Sequence, residues 1–265
     1  MAKIITLSNG KKVTQKSSRF FIVLIILIVM SYVSVKITGF NFSTLYKRGI
    51  RFFDILIDMF PPDIEYLGSI WKPLFDTIKM SLLGSAIGSF CAIPFAILAS
   101  SNVVHNKTVI LIIRLFLSLV RTLPTLIIAL IATYMFGLGT MAGTTAIAVF
   151  TFAYIGKLLY EQIETVNMGA FEAMESFGAT KLQSFMAAIV PQVLPSYIAN
   201  CLFCFEGNVR YAAILGYVGA GGLGLILNEK IGWREYPSVG MILIVLFIAV
   251  VIIETISHYF RKKLT

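Results

Sequence analysis

At 265 residues the chain has room for one or two soluble domains, but 58% hydrophobic and only 13% charged residues exclude that class. A mean hydropathy of +0.87 leaves too little polar surface to coat a water-soluble globule, and the same scarcity of charge excludes disorder. The formal charge of +9 does not point to nucleic acid, because the basic residues lie at the chain ends and in loops rather than on one face. What remains is an all-α, multi-pass membrane bundle with its positive charge setting topology.

Charge-free windows of about 20 residues mark the spans. A basic start (Lys3, Lys11, Lys12, Lys16, Arg19) precedes an apolar run over 20–37. It resembles a signal peptide but lacks a small-x-small cleavage site, so it is expected to stay as a first span. Residues 42–60 follow, with Leu45, Gly49, Phe52, Phe53, Leu56 and Phe60 at helical spacing and charges elsewhere. This predicts an amphipathic helix on the outer membrane surface, stopped by Pro61-Pro62, with a lid over a translocation path as the alternative. Further spans are expected at 74–99, 110–136, 141–160, 193–218 and 238–260, about six in all. Gly137-Leu138-Gly139-Thr140 is the break expected between the third and fourth.

Most basic residues then fall on the side of the two termini: the N-terminal group, Lys107, Arg114, Lys157, Lys181, Arg261, Lys262 and Lys263. Lys36, Lys47, Arg48, Arg51, Lys72, Lys230 and Arg234 fall on the other side, mixed with acids. Both termini are therefore expected in the cytoplasm. Cys91, Cys201 and Cys204 lie in apolar stretches and imply no disulfide framework. Cys201 and Cys204 have redox spacing but no βαβ context and no water to ionise a thiolate.

The loop over about 161–192 is the most informative segment. Asn167 is placed to cap a short helix, in which Ala170, Phe171, Met174 and Phe177 form an apolar stripe with Glu172 and Glu175 off it. Gly178 supplies a left-handed stop, and Thr180 with Gln183 makes a capping box for a second helix that ends near Pro191. Two readings stand: a hairpin folded onto its own bundle, or a helix that docks in the groove of a cytoplasmic partner.

These residues resemble a known family. Glu172-Ala173-Met174, then Gly178-Ala179 and Pro191, is similar to the cytoplasmic loop of ABC importer permeases. The chain departs from that pattern at Met174, Ala188 and Val190, where Ala, Ile and Leu are usual; all three are apolar exchanges. The stretch 205–224, Pro191-Gln192 with Pro195, Arg121-Thr122-Leu123-Pro124, and Asp76-Thr77-Ile78-Lys79-Met80 resemble the phosphonate-uptake branch, which usually has Glu at the Asp76 position. Phosphate and phosphite carriers share much of this pattern. The resemblance covers about residues 70–260. It implies a type I importer permease domain over 71–265 with five core spans, preceded by residues 1–70 as tail, first span and outer amphipathic segment.

The resemblance also implies function and partners. Phe171, Glu172, Ala173, Met174, Gly178 and Ala179 would form the coupling helix, seated in one of two ATP-binding subunits. A second permease copy, most simply an identical one, and an extracytoplasmic substrate-binding protein would complete the assembly in the cytoplasmic membrane. This chain would bind no cofactor, ATP and Mg being used by the partner. No paired carboxylates, His-Glu-x-x-His run or Walker loop occurs, so the chain is not expected to be an enzyme, and His105 and His258 suggest no metal site. An ion-coupled secondary transporter of a small anion is the alternative.

Charged residues inside the spans are candidates for the path. Glu206 is about 13 residues into the fifth span, about 20 Å, which would place it past the bilayer middle. Arg210 is one turn on, and the two are expected to pair, either as a structural bond or as a lining of the anion path. Asn208 lies on another face and is placed to cap a helix break at Gly207. Arg121 is read as an interfacial anchor at the inner end of the third span. Gly219, Gly221, Gly222 and Gly224 match a dinucleotide fingerprint by letter but not by context. They allow close helix approach or a re-entrant turn at an outer gate whose amides face an anion.

Overall fold

The computed structural model describes residues 4–6, 10, 12–14 and 20–264. Of the N-terminal basic group, Lys3, Lys11, Lys16 and Arg19 lie outside the described residues. The chain divides into two units, Met1–Ile57 and Asp58–Thr265. In the first, strands β1 (Ile4–Thr6) and β2 (Lys12–Thr14) pair antiparallel, a local hairpin outside the helical pattern read from sequence. Helix α1 (Phe20–Ile37) buries no residue, as suits a span whose neighbours are lipid. Helix α2 (Phe42–Asp58) is amphipathic as expected; Asn41 caps it, its Oδ1 accepting from Ser43 and Thr44 N–H at 2.9 and 3.4 Å.

The second unit is a helical bundle. Its frame is α3 (Leu67–Ala99) packed along α6 (Thr140–Thr165). Gly84, Gly88, Ala92 and Ala96 recur every fourth residue on α3, and this small-residue stripe lets the two backbones approach. A Cβ at Gly84 would lie 2.7 Å from Ile147 Cγ2 and 2.9 Å from the Thr144 carbonyl, so the glycine is required by the packing. Helix α5 (Thr125–Phe136) covers the outer half of α6 through Ile128, Ala129 and Ala132.

The third span is not continuous. Helix α4 (Lys107–Thr122) and α5 meet at 85°. Leu123 and Pro124 are both extended, with ψ of 123° and 132°. A residue before proline is driven out of the helical region, and proline has no N–H to continue the ladder. Uniform hydropathy across 110–136 hid this break. Arg121 therefore sits in the last turn of α4, beside the bend, and not at the inner end of a span. Among the described residues, five helices are long and apolar enough to cross a membrane, or up to six if the bent pair is one span.

The short helix α7 (Gly169–Ser176) precedes a long helical run over Lys181–Val218. That run opens with α8 (Lys181–Ser184), passes a π-helical turn at Phe185–Ile189 and continues as α9 (Val190–Leu215). The expected stop near Pro191 is absent. The widened turn sits where Pro191 would otherwise meet the Ala187 carbonyl, so the helix passes the ring instead of ending. Helix α10 (Leu223–Trp233) was not expected. It is set by tertiary contact: Leu223 N–H donates to Thr77 Oγ1 at 2.7 Å, and Leu223 and Leu227 pack with Ile70, Leu74, Val239 and Ile242. Glu235 binds Lys230 Nζ and holds that ammonium above its usual pKa. Helix α11 (Tyr236–Leu264) runs back along α9.

Candidate functional site

The loop between α6 and α8 folds as a capped corner. Met174 and Glu175 carbonyls accept from Ala179 and Gly178 N–H at 3.1 and 2.9 Å, with Gly178 at φ +85°. That is the glycine-terminated helix end its sequence predicts. Both bonds of the Thr180–Gln183 capping box are made. The N-cap of α7 is Met168 rather than the expected Asn167, which stands one residue earlier, its Oδ1 accepting from Gly169 N–H at 2.9 Å. Gln192 Nε2 reaches the Asn167 carbonyl at 3.3 Å and the Ala188 carbonyl at 2.7 Å, tying the loop's start to its end.

The expected apolar stripe splits. Phe171 is 8% exposed, packed with Leu159, Ile163, Phe185 and Ile189. Phe177 is 90% exposed, and Leu182 and Met186 stand exposed beside it in sequence on the next helix. Phe177 is the residue at which α7 ends, so its direction follows the corner rather than the helix face. The corner thus holds its own bundle with one aromatic and presents another. Glu172 and Ala173 are exposed, Met174 and Ala179 half-buried.

The inner ends of α3, α4 and α6 are braced behind this corner. Arg114 Nε and Nη2 donate to the Ala99 carbonyl at 2.9 and 2.8 Å and also engage Glu164. Ser101 N–H donates to Glu164 at 2.8 Å, and Asn102 Nδ2 to the Ile163 carbonyl at 2.6 Å. These bonds link α4 to the ends of α3 and α6.

The expected path residues fall into two groups. Glu206 and Arg210 pair, as anticipated from their i, i+4 spacing. Arg261 Nη2 also reaches Glu206 Oε2 at 3.1 Å, and Arg210 lies 3.7 Å from Glu254. Because both partners on α11 belong to its C-terminal half, Glu206 lies beside the half of α11 that leads to the C-terminus. The expected position past the bilayer middle is corrected accordingly. Glu206 is buried, while half of the Arg210 side chain is exposed. Arg210 lines a cleft of about 350 Å³ with Phe150, Tyr154, Phe203 and Tyr211.

Asn208 has a different role from the one expected. Helix α9 is unbroken at Gly207, so Asn208 caps nothing. It is 1% exposed, and its Nδ2 donates to Ser85 Oγ at 2.8 Å and Thr151 Oγ1 at 2.9 Å, joining α9 to α3 and α6. Asn208→Leu is expected to lower stability by about 1 kcal/mol, the usual scale for hydrogen bonds between membrane helices. A melting curve in detergent would fall by about 2–4 °C, and an unchanged Tm would deny the bridge.

The glycine loop after α9 is packed tight. Gly219, Gly221 and Gly222 have φ of +75°, +78° and +70°. The Gly219 carbonyl accepts from Gly139 N–H at 2.9 Å. A Cβ on Gly221 would lie 2.9 Å from Thr140 N, and one on Gly222 3.0 Å from Met80 Cε. Close approach is thus the role the geometry displays. The Gly137 turn expected before α6 is one face of this contact.

Solved chains of the MetNI methionine ABC transporter in inward-facing conformations superpose with TM-score 0.68 at 21% identity, over 77% of this chain and 99% of theirs. The bundle therefore has the type I ABC importer permease fold. Residues 92–265 match the family described as binding-protein-dependent transport system inner membrane component, and the chain belongs to that family. It is a multi-pass protein of the cytoplasmic membrane. Among its relatives, the phosphate-import permease protein PhnE of Mycolicibacterium smegmatis is 35% identical over 79% of this chain, which spans 40% of that protein's length. The putative phosphite transport system permease protein HtxC of Stutzerimonas stutzeri is 29% identical over 97% of this chain and 91% of its own length. The phosphite transport system permease protein PtxC of the same organism is 32% identical over 76% of this chain and 74% of its own.

Proposed function

We propose that this chain forms the translocation path of an ATP-driven importer for a phosphorus oxyanion: phosphonate, phosphite or phosphate. Two permease copies enclose the path, an extracytoplasmic binding protein delivers the anion, and two cytoplasmic ATP-binding subunits drive the change of access. The observation that carries the reading is the capped corner, where Phe177 is 90% exposed while Phe171 anchors the same helix to the bundle. An aromatic held out in this way fits a groove on a partner. Closing of the partners would move the corner, and the brace at Arg114 and Glu164 would pass that motion to α3, α4 and α6 as a rigid-body displacement.

Arg210 supplies the anion chemistry. Half of its side chain is exposed in the cleft, and the guanidinium offers donors to the oxygens of a tetrahedral anion. Glu206 holds it in place. The names of the relatives support the substrate class. The glycine corner at Gly219, Gly221 and Gly222 belongs in this reading to the outer gate, as its rigid hinge post. The test is twofold. Affinity-tagged protein should co-purify with an ATP-binding subunit, and uptake of labelled phosphite, phosphate or methylphosphonate should stop when that subunit's ATP site is inactivated. Uptake that persists on a proton or sodium gradient would instead establish a secondary transporter.

A further inference from the structure

Where α4 crosses α6 there is a second cavity, of about 320 Å³, that the transport reading does not use. Its polar wall is Arg114, Ser118, Arg121, Lys157 and Tyr160; Leu111 and Leu115 supply an apolar wall. The cations are held differently. Arg114 is fixed by the Ala99 carbonyl and Glu164, with its guanidinium 4.7 Å from the Tyr160 ring centre. Lys157 lies 3.3 Å from Glu161. Arg121 has no ion-pair or hydrogen-bond partner among the described residues. The two carboxylates answer two of the three cations, which leaves one positive charge uncompensated.

Depth and surroundings narrow the ligand. Arg114 is bonded to the last residue of α3 and to the last turn of α6, the helix ends that carry the cytoplasmic loops. The Arg114 end of the cavity therefore lies toward the cytoplasmic side, with Arg121 two turns further along α4. Leu111, Ile112, Leu115 and Leu119 are all exposed on α4. A guanidinium with five donors beside exposed leucines needs an anionic partner, and the leucines need an apolar one. A small uptake anion answers only the first need. A phospholipid answers both, and basic pockets between helices at the cytoplasmic face are where such headgroups bind.

We propose that this cavity seats the phosphodiester of an anionic inner-leaflet phospholipid, with Arg121 and Lys157 on its oxygens and an acyl chain along Leu111 and Leu115. Native mass spectrometry of the purified full-length protein tests it, with phosphatidylglycerol and phosphatidylcholine as probes and inorganic phosphate as competitor. The expected result is preferential retention of phosphatidylglycerol. Arg121→Gln should weaken it about fivefold and Arg121→Gln with Lys157→Gln about 25-fold, at about 1 kcal/mol per cation. Arg121→Lys should retain binding, which separates loss of charge from loss of fold. Equal retention of both lipids, unchanged binding in the double variant, or full displacement by millimolar phosphate would each overturn the proposal, the last in favour of a free-oxyanion site. None of these outcomes depends on whether the chain imports phosphorus anions.

Discussion

Gly178→Val is expected to leave a folded bundle whose substrate uptake falls by about tenfold or more. Gly178 adopts φ +85°, and a Cβ there would meet nothing within 4 Å. The penalty is therefore one of backbone conformation alone, on the order of 1–3 kcal/mol for a β-branched residue in the left-handed region. The loop sheds that strain by turning at the corner, and the two bonds that accept at Met174 and Glu175 are lost with it. Phe177 then points elsewhere, while Phe171 stays packed in the bundle. The measurement pairs uptake in membrane vesicles with a melting curve in detergent. Normal uptake with a normal Tm would remove the corner from the coupling route. Gly178→Asn is the control: it tolerates this conformation and should retain most activity.

The second large effect separates Glu206 from Arg210. Spacing alone makes the two look like one bond, so that removing either would have the same consequence. The structure makes them unequal. Arg210→Met leaves Glu206 with Arg261 at 3.1 Å, and the buried carboxylate stays paired. The bundle should survive, while uptake of the anion falls about tenfold or more through loss of a charge-assisted hydrogen bond. Glu206→Ala leaves Arg210 and Arg261 without the carboxylate between them. Arg210 is half exposed and keeps Glu254 at 3.7 Å, so the loss is that of the charge-assisted hydrogen bonds to Glu206, about 1.5–3 kcal/mol, and this variant should melt early. Wild-type uptake by Arg210→Met would exclude Arg210 from the path and leave the pair a purely structural one.

Several features were legible because their causes are local. The glycine stop at 178 and the Thr180–Gln183 box use neighbours within a few residues, and the amphipathic pattern of 42–58 needs only its own period. The motifs of the cytoplasmic loop and of the stretch 205–224 led to the importer family that the match over residues 92–265 establishes. The bend at Leu123-Pro124 was legible in principle, since proline restricts the residue before it, but the uniform apolar run concealed it. The glycine stripe of α3 was likewise present as spacing, a small residue every fourth position from 84 to 96.

Other features depend on residues far apart in the chain. Arg261 was assigned to the cytoplasmic flank by position, and its bond to Glu206 arises only because α11 returns along α9. Asn208 became a bridge rather than a cap because Ser85 and Thr151 meet it from two other helices. Helix α10 exists where Thr77 and the Ile70–Leu74 face receive Leu223 and Leu227. By itself the sequence determined membrane class, span count and the capped corner, since hydropathy, period and capping are properties of contiguous residues. Only the tertiary structure decided that Phe171 turns inward and Phe177 outward, and which charges share Glu206, since burial and pairing belong to helices brought side by side.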